Sequence, residues 1–215
     1  MELVRVDTQR AYDVIWEMIT TLELAPGAPI NEQELAELLD MGSVPVREAL
    51  QWLAHENLVD VSERHGIYVA DVNVDDLQQL SEMRLSLESL SARLAAKRAV
   101  GDDLVVLNTL RKEQEALPAG ESRLLFDLDH RFHQAVAKAA HNRYLAQTLD
   151  RLFGLSRRLW YLVLPHLEML SSSVEMHVSL VEAIESGDAG EAAGIMHEHV
   201  KEFYDEVREI LEGQM

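Results

Sequence analysis

The chain has 215 residues, 47% of them hydrophobic, with 38 acidic against 19 basic side chains, a formal charge of −19 and no cysteine. That is enough chain for one large domain or two small ones, and it excludes disulfides, thiolate metal ligands and the broad basic surface of a generic polyanion binder. No apolar run approaches the roughly 18 residues of a membrane span, and "MELVRVDTQRAYDV" lacks the basic-then-apolar layout of a signal peptide, so the sequence reads as a cytoplasmic protein with no membrane partner.

Residues 8–24 place Ala11, Val14, Ile15, Met18, Ile19 and Leu22 on one helical stripe. "APGAP" breaks that helix. Asn31, with Glu34 three positions on, has the pattern of a capping box opening a short second helix that ends near Leu39. The turn "DMGS" leads into "VPVREALQWLAHEN", a third helix with Ser43 as its expected cap and Pro45 tolerated in the first turn. After Leu58 the period changes to alternation around "SERHG", the pattern of a β-hairpin. Three short helices and a hairpin predict a winged helix-turn-helix over residues 1–73.

From residue 74 to 215 there is no strand signal. Helical stretches are expected at about 75–99, 102–116, 121–140, 142–163, 170–186 and 188–212, with breaks at "VGDD", "LPAGES", "HN", "LPH" and "SGD". The expected fold class is therefore mainly α, an N-terminal winged helix-turn-helix joined to a C-terminal all-α bundle of six helices.

The bundle carries unusual polar groups. Asp129 and His133 are four apart on the side of their helix that holds Phe126, Phe132, Val136 and Ala140, opposite Asp127, Arg131, Gln134 and Lys138. Side chains at i and i+4 stack on one face, so the pair either grips one metal ion or forms a buried hydrogen bond. His177 opens the stripe Leu180, Val181, Ile184. His199 falls on the stripe Met196, Val200, Phe203, Val207, Ile210, whereas His197 groups with Lys201, Tyr204 and Arg208 on the wet face. Three inward histidines and an inward aspartate suit a borderline divalent cation such as Zn, Ni or Mn; a hydrogen-bonded polar core is the alternative. His130, His141 and His166 read as surface residues.

In this order and spacing, "LAPGAPINEQELAELL", "VPVREALQWLAHENLV" and "ERHGIYV", followed by "MRLSLESLSARLAA", "FHQAVAKAAHN", "HVSLVEAIESGDAGEA" and "MHEHV", resemble a GntR-type transcription regulator of the FadR class with an FCD effector domain. The short linker and six-helix bundle are closer to the VanR-like subgroup. The resemblance implies a homodimer that binds an inverted-repeat operator in double-stranded DNA and responds to a small organic acid effector. It also implies that Asp129, His133, His177 and His199 are the metal positions. By the same resemblance Arg84 faces the effector cavity and pairs with its carboxylate, the alternative being an ion pair with Glu88, and Asn142 borders that cavity or simply caps a helix junction.

The DNA contacts implied are Ser43, Val44 and Arg47 at the recognition helix and Arg64, His65 and Gly66 at the wing tip. For Arg47 the alternative is a salt bridge to an acid such as Glu48 or Asp40. The family's usual arginine at position 43 is serine here, and residues 1–73 hold four basic side chains against fourteen acidic ones. Few cations are left for phosphate neutralisation. A metalloenzyme using the same Asp/His centre is the competing class, but no HExxH-like motif accompanies the ligands and the helix-turn-helix would go unused. A homologue that has lost DNA binding is the third.

Overall fold

The computed structural model describes residues 2–62, 66–73, 75–118, 121–163 and 170–214, the side chains of 2–5, 170–172 and 214 excepted. Arg64, His65 and His166 lie outside the described residues. The chain forms two compact units, Met1–Asn73 with Gly154–Tyr161, and Val74–Phe153 with Leu162–Met215. No described helix is long and apolar enough to cross a membrane.

The first unit holds α1 (Glu2–Thr20), β1 (Pro29–Ile30), α2 (Glu32–Leu38), α3 (Ser43–His55), β2 (Val59–Ser62) and β3 (Gly66–Val69). Its core is the expected stripe of α1, with Ala11, Ile15 and Ile19 against Leu35 of α2, Val46, Leu50 and Leu53 of α3, and Val59 and Val69 of the sheet. The helix α1 starts six residues before the expected position 8 and stops at Thr20 rather than 24. Leu22 turns into the left-handed region at φ +62, and the Leu24 amide closes back onto the Met18 carbonyl, so the last carbonyls are satisfied before Pro26. Asn31 caps α2 as its pattern implies, accepting from the Gln33 and Glu34 amides. Ser43 does not cap α3: it is the first helical residue, and Gly42 occupies the cap position without a side-chain bond.

The hairpin β2–β3 pairs antiparallel with Val59 opposite Val69 and Ser62 opposite Gly66. Gly66 sits at φ +97, where an L side chain is strained. The two-residue β1, too short to leave a period-2 pattern, adds a third strand on β3 and gives the order β1-β3-β2. In the Gly154–Tyr161 segment of this unit, Arg157 donates to both carboxylate oxygens of Glu17 and to the Thr20 hydroxyl.

The second unit is the all-α bundle, α4 (Asp76–Arg98), α5 (Gly101–Glu115), α6 (Ser122–Ala139), α7 (Arg143–Val163, whose segment Gly154–Tyr161 belongs to the first unit), α8 (Leu170–Ser186) and α9 (Ala189–Gln214). The helix α4 packs on α9 and α6, and α8 on α9 and α5. Phe126, Phe132, Val136, Leu107, Leu180, Met196 and Val207 are buried between them. Three of the expected breaks have a local cause among the described residues. Asp103 accepts the Val100 amide at 2.9 Å to open α5, and His141 at φ +46 turns the chain between α6 and α7. Gly187 at φ +76 ends α8, its amide bonding the Ile184 carbonyl, after which the Asp188 carboxylate accepts the Gly190 and Glu191 amides to start α9.

Candidate metal centre

Three helices of the bundle converge on one point. The helix α6 contributes Asp129 and His133, one turn apart because Phe126, Phe132 and Val136 turn that face inward; α8 contributes His177 and α9 His199. One ligand atom from each of the four residues lies within 4.8 Å of every other. The His199 Nε2 is 2.9 Å from His133 Nε2 and 3.2 Å from His177 Nε2. The Asp129 Oδ1 is 3.4 Å from His177 Nε2 and 3.8 Å from His199 Nε2, and its Oδ2 is 3.7 Å from His133 Nε2. Ligand atoms about 2.1 Å from a shared ion sit roughly 3.0–3.4 Å apart at octahedral or tetrahedral angles. The four donors therefore need only small adjustments to hold one divalent cation.

The electrostatics fit the same ion. Burial, together with His133, holds His199 down to about 3, and burial with its two histidine neighbours holds His177 well below the ordinary imidazole range. Both rings are neutral near pH 7 and can present lone pairs. Burial also works against charge on His133, but the Glu88 and Asp129 carboxylates outweigh it and raise its pKa. Burial raises the Asp129 carboxyl. Burying four such polar groups together is costly, and a cation at their centre would offset that cost.

Two outer residues complete the arrangement: Glu88, expected only as a partner for Arg84, and Gln114, for which the sequence gave no expected role. The His133 Nδ1 bonds the Glu88 Oε2, and His177 Nδ1 lies 2.9 Å from Gln114 Oε1. A ring whose Nδ1–H is spoken for turns its Nε2 lone pair to the metal. Both were within reach of helical spacing: Glu88 lies on the buried α4 face with Arg84, Ser91, Ala92 and Ala95, and Gln114 continues the α5 stripe of Leu107 and Leu110.

Arg84 makes the ion pair with Glu88, its Nε 2.6 Å from Oε1, and lies over the Phe153 and Tyr204 rings. Burial raises the Glu88 carboxyl while Arg84 and His133 overcome it, bringing the group to about 2. Arg84, Glu88 and His133 thus form one continuous buried network leading to the four ligands.

Beside His133 and Glu88 is a cavity of about 220 Å³ whose wall includes His130, Phe153, Leu149 and Lys138. Two expectations fail here. His130 is buried and stacked on Phe153 with centroids 3.7 Å apart, because it shares the inward turn of α6 with Phe126. Tyr204 is buried rather than on the wet face of α9, its ring beneath Arg84. Asn142 is a cap, its Oδ1 accepting the Leu145 amide at 3.3 Å. His141 is on the surface as expected, bonded to Asp103 at 2.8 Å.

In the first unit Ser43 and Val44 are exposed at the start of α3, with Val44 55% exposed. Arg47 is exposed one turn on, and its acid partner is neither Glu48 nor Asp40 but Glu32 of α2, 2.9 Å away. Glu48 instead accepts from Thr8.

Residues 79–202 match the FCD domain, and residues 7–69 match the bacterial regulatory proteins of the gntR family. The HTH-type transcriptional repressor RspR of Escherichia coli K12 is 25% identical over 94% of this chain and 89% of its own. An HTH-type transcriptional regulator in an unstable DNA locus of Streptomyces ambofaciens is 32% identical over 96% of this chain and 87% of its own. Among solved structures, E. coli McbR/YncC superposes with a TM-score of 0.84 at 21% identity, covering 94% of this chain and 97% of that one, which is a likeness of fold.

Proposed function

This chain belongs to the GntR family of bacterial transcription regulators and carries an FCD domain, and from that premise we propose a cytoplasmic, homodimeric regulator of the FadR class whose bundle holds a divalent metal ion and answers to a small organic acid. The observation that carries the metal reading is the convergence of Asp129, His133, His177 and His199 on one point. Bound there, the ion supplies a Lewis-acidic position for an effector oxygen. Zn, Ni and Mn all accept this donor set.

Each residue then has a task. Asp129 is the one anionic donor of the four, so the loaded centre keeps positive charge that an acid effector offsets. Phe153 and Leu149 offer the effector body an apolar wall. The Arg84 fork holds Glu88 Oε1, and an effector carboxylate reaches Arg84 by exchanging with that oxygen while Oε2 keeps His133. Asn142 acts through α7, which it caps and which lines the cavity. At the DNA, Ser43, Val44 and Arg47 are assigned to the major groove and Arg64, His65 and Gly66 to minor-groove or phosphate contacts, with two protomers reading the halves of an inverted repeat.

The test is fluorescence anisotropy on DNA flanking the protein's own gene, with and without a panel of small organic acids, beside elemental analysis of the protein as purified. The expected result is a stoichiometric metal and an acid-dependent change in DNA affinity. A metal-free protein that neither Zn(II), Ni(II) nor Mn(II) stabilises removes the metal reading, and no DNA binding even at low salt points to a homologue that has lost that function.

A further inference from the structure

Gln114 is an odd choice for its position. It is 3% exposed on an α5 face otherwise made of Leu107 and Leu110, and its Nε2 has no hydrogen-bond partner among the described residues. Burying an amide with one end unpaired costs about 1–3 kcal/mol, so a leucine would serve packing better. What Gln114 does make is one bond, its Oε1 to the Nδ1 of His177 at 2.9 Å.

That bond has a chemical consequence. A neutral imidazole carries its proton on either nitrogen, and the partner of one nitrogen decides the state of the other. With Oε1 as acceptor the proton sits on Nδ1. The Nε2 lone pair then faces His199 Nε2 at 3.2 Å and Asp129 Oδ1 at 3.4 Å. On Nε2 the proton would stand where a metal must approach. The ring is also held in plane by Phe132, with centroids 4.0 Å apart, so Gln114 sets the proton while Phe132 sets the tilt.

We propose that Gln114 is a positioning residue for the metal centre, fixing His177 as the Nδ1–H tautomer before the ion arrives. This rests on the metal reading above. Gln114 touches no effector or metal, comes from a helix that supplies no ligand, and acts through His177 alone.

The experiment compares the full chain with its Gln114→Leu and Gln114→Glu variants, stripped of metal and confirmed folded by circular dichroism. Zn(II) affinity is read by competition with a chromophoric chelator. Gln114→Leu is expected to bind Zn(II) about 10–100-fold more weakly, and Gln114→Glu, which still accepts the Nδ1 proton, to recover affinity. Long-range ¹H–¹⁵N spectra of the metal-free protein should show His177 protonated on Nδ1 in the wild type and redistributed in Gln114→Leu. Equal Zn(II) affinity in wild type and Gln114→Leu overturns the proposal, as does a wild-type His177 protonated on Nε2. A wild type that takes up no Zn(II), Ni(II) or Mn(II) overturns the metal reading itself, and this inference with it.

Discussion

Removing one metal ligand should erase the response of the fold to metal. The four ligand residues come from α6, α8 and α9, so the unfolded chain offers no comparable site and a bound ion stabilises only the folded state. At free Zn(II) one hundred times the dissociation constant, that linkage contributes about 2.7 kcal/mol. A chain of this length shifts by roughly 2–4 °C per kcal/mol, so Zn(II) should raise the melting temperature of chelator-stripped protein by about 5–10 °C. His177→Ala leaves three ligands and also removes the ring stacked on Phe132. Its own melting temperature will fall for packing reasons, and the informative quantity is the difference with and without Zn(II) within each variant. That difference should collapse towards zero in His177→Ala and persist in His197→Ala, which alters an exposed histidine two positions from His199. Differential scanning fluorimetry measures all six conditions, the three proteins each with and without Zn(II). A wild-type shift that survives in His177→Ala would refute the assignment of His177 as a ligand.

Arg47→Ala, present twice in a dimer, should weaken operator binding by on the order of tenfold per half-site in fluorescence anisotropy; unchanged affinity removes α3 as the recognition helix. Ser43→Arg should tighten binding and steepen its salt dependence by about one counterion per protomer. Phe126→Ala, which empties a fully buried position between Phe153 and Phe203, should cost about 3–5 kcal/mol in urea denaturation. Asp103→Ala should cost about 0.5–1 kcal/mol by freeing the Val100 amide. The Asp103 carboxyl is held below its ordinary 3.8, chiefly by that amide, so the penalty should be full at pH 7. It should fade as the pH drops below about 3.8 and through the lowered folded value.

Helix periodicity is a one-dimensional signal, and it located the six bundle helices and the inward faces of Asp129, His133, His177 and His199 because those faces are continuous apolar stripes. It misjudged His130 and Tyr204 for a related reason. Both lie at the margin of a stripe, where burial depends on whether a side chain from another helix covers the ring, and Phe153 covers one while Arg84 lies over the other. Glu88 was legible only as the i+4 partner of Arg84, and the role of Gln114 not at all, because a carboxylate or an amide on a helix ordinarily faces water and their bonds to His133 and His177 come from other helices. The two-residue strand β1 left no period at all, being defined by its pairing with Tyr68 and Ile67. The Arg47 partner lies 15 positions away on α2, beyond the reach of local spacing.

The distances along the chain between the converging histidines also bear on how the protein is made. His133 and His199 are 66 residues apart, and His177 and His199 are 22 apart. During synthesis α6 emerges with only the local pair Asp129 and His133, and the four candidate ligands come together only once α9 has left the ribosome and packed against α8. On the proposed metal reading, an ion held by all four residues would therefore mark a bundle that is both finished and folded, and a chain truncated before α9 would lack the complete site.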